Sequence, residues 1–148
     1  MKIKLRLLKR NDVSACARIV GMNYSEKYLR TSQEEIASMF SNAAVTPIYW
    51  VAEADGHIVG FAGYIQSWMD YSIYQIFWVN VLPDLQRRGV GQKLVRKLIT
   101  EVRKKNGSEL IQLTATKPNA TYYRTKFGFK SIIKINNTPE YLMYLRVH

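Results

Sequence analysis

A chain of 148 residues suits one domain, and 47% hydrophobic with 22% charged residues exclude disordered and collagen-like classes. Its 22 Lys and Arg against 11 Asp and Glu give +11, a balance that points to an anionic partner: nucleic acid, an acidic membrane surface or a phosphorylated ligand. The lone Cys16 excludes an internal disulfide, and no Cys/His cluster offers a metal site. The stretch MKIKLRLLKR lacks the apolar core of a signal peptide, and no apolar run has the length of a membrane span. The expectation is a soluble, cytoplasmic, single domain over residues 1–148.

Residues 2–8 alternate charged and apolar, the period of a half-buried strand. Asn11 or Asp12 is placed to cap a helix whose Val13, Cys16, Ala17 and Val20 share one face. Ser32 and Glu35 have the spacing of a capping box, which predicts a second short helix starting there, with Ile36, Met39 and Phe40 inward. After Pro47, residues 48–54 and 57–66 read as strands joined by Asp55-Gly56, a hairpin signal. Residues 72–82 form another β-rich run that stops at Pro83.

From Val90 the period changes. Leu94, Val95, Leu98, Ile99 and Val102 recur on one face while Lys93, Arg96, Lys97 and Arg103 take the other, which predicts a long amphipathic helix closed by Gly107. Residues 109–115 read as a strand, 119–126 as a short helix, and 129–135 and 140–147 as final strands. Seven strands and four helices in the order β-α-α-β-β-β-α-β-α-β-β predict an α/β class, a mixed sheet with helices on both faces.

The charge is divided along the chain. Residues 11–84 hold three bases and eight acids, whereas 85–134 hold thirteen bases against Glu101 and Glu109. The excess begins at a loop, Gln86-Arg87-Arg88-Gly89-Val90-Gly91, that joins a strand to the basic helix. Amides in a first helical turn lack intrahelical partners and point along the positive end of the dipole. Gly89 and Gly91 leave them open to approach, and Arg87 and Arg88 add charge, so the loop reads either as a pyrophosphate cradle or as a plain strand–helix turn. A triphosphatase loop is excluded because Gly91 is followed by Gln92 rather than Lys. The dinucleotide fingerprint fails because position 94 is Leu.

This loop resembles the [QR]-x-x-G-x-[GA] motif of the GNAT superfamily of N-acetyltransferases. Downstream, the segment from Asn119 through Tyr122-Tyr123 to Gly128-Phe129 is similar to that family's N..A..FY...GF pattern, with Asn119 nearer the tyrosines than in the consensus. The resemblance implies a GNAT-like fold: about seven mostly antiparallel strands, a central splayed parallel pair and four helices. It implies acetyl-CoA as co-substrate, without a metal, and an amine of a small molecule, peptide or protein as acceptor. Gln86, Arg87, Arg88, Gly89, Val90 and Gly91 would bind the pyrophosphate, and the main chain of Val79 and Val81 the pantetheine arm. Asn119 would touch that arm or cap its helix, and Tyr122 would pack. Tyr123 would protonate or hydrogen-bond the departing thiolate, the alternative being a core tyrosine. Trp78 and Phe77 would meet the acceptor or simply pack.

Some members carry a Glu eleven residues before the motif's Gln; here Gln75 stands there and cannot take a proton. Glu53, Asp70 and Asp84 are candidate replacements, as is water. Cys16 reads as buried packing, His57 as exposed, and His148 has no assigned role. The acceptor side would be residues 20–42 and 66–75, with Tyr24, Tyr28, Trp68, Asp70, Tyr71 and Tyr74, alongside Glu26, Glu34 and Glu35. Aromatic rings and carboxylates suit a cationic amine. Two rival readings stay open: a nucleic-acid-binding basic module, and a catalytically degenerate sensor that binds CoA. A homodimer is left open; nucleic acid and membrane partners are not expected.

Overall fold

The computed structural model describes all residues 1–148. Seven strands, β1 (Lys4–Leu7), β2 (Ile48–Ala54), β3 (His57–Gln66), β4 (Ile73–Val81), β5 (Leu110–Thr116), β6 (Lys130–Lys134) and β7 (Glu140–Arg146), form one sheet in the order β1-β2-β3-β4-β5-β7-β6. Every pair is antiparallel except β4 with β5. Four α-helices accompany it: α1 (Val13–Asn23), α2 (Leu29–Ala37), α3 (Val90–Arg103) and α4 (Lys117–Phe127). This is the mixed sheet with helices on both faces that the sequence predicts. None of its helices is long and apolar enough to cross a membrane.

The sheet separates two cores. On one face Cys16, Ile19 and Val20 of α1 and Ile36 of α2 pack onto Tyr49, Val51 and Phe61. On the other, Val90, Leu94, Val95, Leu98, Ile99 and Val102 of α3 pack onto Ala52, Ala62, Ile76 and Ile111, with Ala120 of α4 in the same cluster. The predicted apolar face of α3 is thus the buried one. The Asp55-Gly56 hairpin turn has φ of 52° and 78° at its two central residues, the left-handed pair that such a turn demands.

Two helix starts differ from the sequence reading. Helix α2 begins at Leu29, not Ser32, because a 3-10 turn over Glu26–Tyr28 feeds directly into it. Ser32 is therefore buried inside the helix, and its hydroxyl donates back to the Leu29 carbonyl at 2.9 Å. Helix α4 opens at Lys117, with Thr116 rather than Asn119 at its N-cap. Asp12 precedes α1, but its carboxylate turns away from it. It accepts from the Lys9 amide at 2.7 Å and from Arg6 at 2.7 and 3.1 Å, and these bonds hold it below the usual carboxylate range, Arg6 foremost.

Candidate active site

The site is built by a parallel pair that comes apart. Strands β4 and β5 pair only through Ile73 with Leu110, Tyr74 with Ile111 and Gln75 with Gln112. Beyond Gln75 each loses its ladder partner on the side facing the other, which leaves backbone donors and acceptors for a third chain-like group. On its other edge β4 carries a bulge: Phe61 faces Asn80 and Gly63 faces Phe77, so Ala62 alone opposes both Trp78 and Val79. Trp78 sits at φ 50°, in the left-handed region, a conformation costing about 1–2 kcal/mol outside glycine.

The extra residue shifts the alternation of side chains. Tyr74, Ile76 and Val81 lie in the core under α3, with Val79 packed against it, while Phe77 and Trp78 pack toward the α1 side. Of its two alternatives Phe77 therefore takes packing, edge-on against Tyr49 at 5.8 Å between ring centres. Trp78 meets Tyr24, 6.3 Å away and also edge-on.

Between the diverging strands, the start of α3 and helix α4 lies a cleft of about 760 Å³. Of the residues singled out from sequence, Val79, Val81, Gln86, Arg87, Gly89, Gly91, Asn119 and Tyr123 line it. Arg88 and Val90 do not: Arg88 is exposed outside the lining, and the Val90 side chain is buried in the core beneath α3. The backbone amides from Arg87 to Gln92 donate to no protein acceptor; the helical ladder begins with Lys93 donating to Gly89 at 3.1 Å. Gly89 holds φ 86° with open space where a Cβ would stand. Six amides without a protein acceptor sit on a turn at a helix start, with the cationic Arg87 and Lys126 in the cleft lining beside them, a chemistry suited to an anion.

Tyr123 projects from α4 into the same cleft. Its ring packs against Tyr122, Phe127 and Phe129 at 5.4, 5.9 and 5.8 Å between centres, and its hydroxyl has no hydrogen-bond partner within the protein. Burial pushes its phenol above the ordinary tyrosine value, with smaller contributions from Tyr122 and Tyr24. The group is therefore protonated at neutral pH. Tyr122 packs as expected, edge-on to Phe127, and its ring also forms cleft wall. Since α4 opens at Lys117, Asn119 lies inside its first turn rather than at its cap, and it lines the cleft from there.

None of the carboxylates considered as a base reaches the cleft. Glu53 accepts from Arg6 at 2.7 Å on the β1–β2 edge, and Asp70 accepts from the Ser72 amide and hydroxyl at 2.9 and 2.7 Å. Asp84 is exposed in the turn Pro83–Leu85. Gln75 closes the parallel ladder, its amide 3.5 Å from Gln112. The ionisable residues that line the cleft are Tyr24, Arg87, Tyr122, Tyr123 and Lys126. Cys16 is buried in the α1 core with its thiol pushed up to about 12 by burial, which removes it from nucleophilic chemistry.

The expected acceptor segments separate. Tyr24 lines the cleft and Tyr28 stacks edge-on against it at 6.1 Å. Trp68, Asp70 and Tyr71 belong to the loop before β4 and sit at the opposite end of that strand from Val79. Tyr74 points under α3, where it and Tyr64 border a separate cavity of about 380 Å³.

Five cleft residues were not assigned to the site from sequence: Asn23, Asn80, Gln92, Pro118 and Lys126. Asn80 is only 3% exposed, and its Nδ2 has no partner, a loss worth about 1–3 kcal/mol for a buried donor. Its one sequence signal is an amide inside the apolar run Trp78-Val-Asn-Val-Leu82.

The family model described as Acetyltransferase (GNAT) family matches residues 13–129, most of the chain and all of the cleft. The chain belongs to the GNAT acetyltransferase family. Solved structures agree on the GNAT fold. A GNAT-family structure from Desulfovibrio desulfuricans is 20% identical with a TM-score of 0.86, covering 99% of this chain and 100% of that one. PaiA N-acetyltransferase from Thermoplasma acidophilum, in complex with coenzyme A, is 19% identical at TM-score 0.76 over 99% of both chains. The ribosomal-protein-S18-alanine N-acetyltransferase from Escherichia coli is 21% identical at TM-score 0.78, over 99% of this chain and 94% of that one. A search of curated proteins found no match.

Proposed function

We propose that this GNAT acetyltransferase uses acetyl-CoA and moves the acetyl group directly to a primary amine of a small molecule, peptide or protein. One observation carries the reading: Arg87, Gly89, Gly91 and Gln92, whose amides have no protein acceptor, line one cleft together with Tyr123, whose hydroxyl is likewise unpartnered. The fit is specific. The amides and Arg87 suit a pyrophosphate, and the free edge of β4 near Val79 and Val81 suits an extended arm with amide groups. Acetyl-CoA supplies an activated acyl group on a thiol that leaves.

The protein's own contribution is then positional and electrostatic. Tyr123 keeps its proton because its phenol is buried, so it can donate to a thiolate formed at the splay. Tyr24, backed edge-on by Trp78, gives the cleft an aromatic surface on the α1 side for a cationic or apolar acceptor. With neither carboxylate nor imidazole among the lining residues, the acceptor's proton leaves through water or a backbone carbonyl. That same feature favours the rival, a CoA-binding sensor without turnover. Thiol release in the presence of a panel of amines separates the two: release supports the transferase, and tight CoA binding without release for any amine supports the sensor.

A further inference from the structure

The Val81 carbonyl, at the end of β4, accepts from two side chains: Asn23 Nδ2 at 2.9 Å and Gln86 Nε2 at 3.2 Å. A carbonyl can only accept, so it fixes the orientation of both amides. Asn23 then directs its Nδ2 also to Asn80 Oδ1 at 2.9 Å, and its own Oδ1 accepts from Gln86 Nε2 at 2.9 Å. Asn23 of α1 and Gln86 of the glycine loop thus meet at one backbone oxygen, with Asn80 of β4 joined to them through Asn23, and all three line the cleft.

The loop needs such an anchor. After Gln86, whose amide makes a long 3.4 Å bond to Pro83, no backbone amide finds a protein acceptor until Lys93. Arg87, the next residue, stands at φ 63°, and Gly89 at φ 86°. A left-handed arginine persists only where its surroundings hold it. The side-chain hydrogen bonds nearest to it are those of Gln86, whose chain is exposed and otherwise free to turn into solvent.

We infer that Asn23 is a positioning residue for the cofactor loop. By holding the Gln86 side chain against Val81 it sets the direction of amides 87–92, so the C-terminal end of α1 controls how the cradle meets a pyrophosphate. The inference rests on the acetyl-CoA reading of the cleft and assigns the Gln86 side chain an anchoring task, leaving its main chain to the ligand. Because Tyr24 follows Asn23 directly and lines the acceptor wall, one turn of α1 touches both halves of the cleft.

The test is CoA binding by calorimetry in the full-length protein and in Asn23→Leu, Gln86→Leu and the double variant, with the ligand-free Tm measured alongside. Leucine keeps the branched shape of asparagine at somewhat greater volume and removes its donors and its acceptor. Each single variant is expected to weaken CoA about tenfold, and the double variant no more than the weaker single, since both cut the same link. Gln86 is exposed, so Gln86→Leu reports even where Asn23→Leu folds poorly. Wild-type affinity in a folded Gln86→Leu or Asn23→Leu, or losses that add in the double, overturns the inference alone. A lower ligand-free Tm with unchanged CoA affinity also overturns it, by making the network purely structural. A wild-type protein that fails to bind CoA overturns the reading of the cleft and this inference with it.

Discussion

Replacing Tyr123 with Phe isolates one hydroxyl. The ring keeps its contacts with Tyr122, Phe127 and Phe129, and no hydrogen bond inside the protein is lost. Stability is therefore expected to change by less than about 0.5 kcal/mol. If the hydroxyl protonates the leaving thiolate, its loss slows turnover by about 10²–10⁴-fold, or roughly 3–5 kcal/mol of barrier. The assay is thiol release at saturating acetyl-CoA and amine, with CoA affinity measured separately. A large fall in kcat with nearly constant affinity is the expected split. Wild-type kcat, with chemistry shown to limit the rate, refutes the acid role and returns Tyr123 to packing. Equal losses in affinity and rate make it a binding residue instead. The pH dependence gives an independent check. Burial raises the phenol above its ordinary value of about 10, so the proton-bearing form persists throughout the range below it. Wild-type kcat is expected to show no descending limb up to about pH 9.

Three further outcomes follow from the same structure. Gly89→Val puts a β-branched side chain at φ 86° in space where a Cβ meets nothing, so the fold should survive while the loop turns its amides away; CoA affinity is expected to fall at least about tenfold, and normal affinity in a folded variant would make the loop a plain turn. Gly63→Ala places a Cβ 2.5 Å from the fully buried Tyr49 ring, so it is expected to lower stability by about 1–3 kcal/mol in urea unfolding; an unchanged midpoint would show that the Tyr49 ring can yield. Asp12 is held below its ordinary pKa, first by Arg6, so it binds its proton more weakly folded than unfolded; its contribution is present at neutral pH and is lost as pH falls through the acid range. Arg6→Ala should therefore flatten the acid side of the stability curve, and an identical acid slope would reject that account.

Much of the fold was legible because its signals are local. The Asp55-Gly56 turn needs two left-handed residues and has them, and the apolar face of α3 is continuous from Val90 to Val102. The Ser32–Glu35 spacing misled because a capping box is also local, while the true start of α2 is set by the preceding turn and by tertiary burial of Ser32. Two glycines and a helix start in the sequence marked the loop whose Gly89 and Gly91 line the cleft. The bulge at Trp78 did not, since a tryptophan carries no signal for a left-handed conformation. Asn23, Asn80 and Gln86 meet only when α1 crosses the end of β4, so no spacing along the chain announces them. The family resemblance places the aromatic loop around Trp68 on the acceptor side; in the fold it stands at the end of β4 opposite Val79 and does not line the cleft.

Thermal unfolding with and without acetyl-CoA asks directly whether the cleft beside the β4–β5 splay holds that ligand. A ligand at a hundred times its Kd stabilises the folded state by about 2.7 kcal/mol, which for a chain of this size raises Tm by roughly 5–11 °C. A rise of that order is expected in the wild type, and almost none in Gly89→Val at the same concentration. An unshifted wild-type Tm at millimolar acetyl-CoA, or an equal rise in the folded Gly89→Val protein, would contradict it.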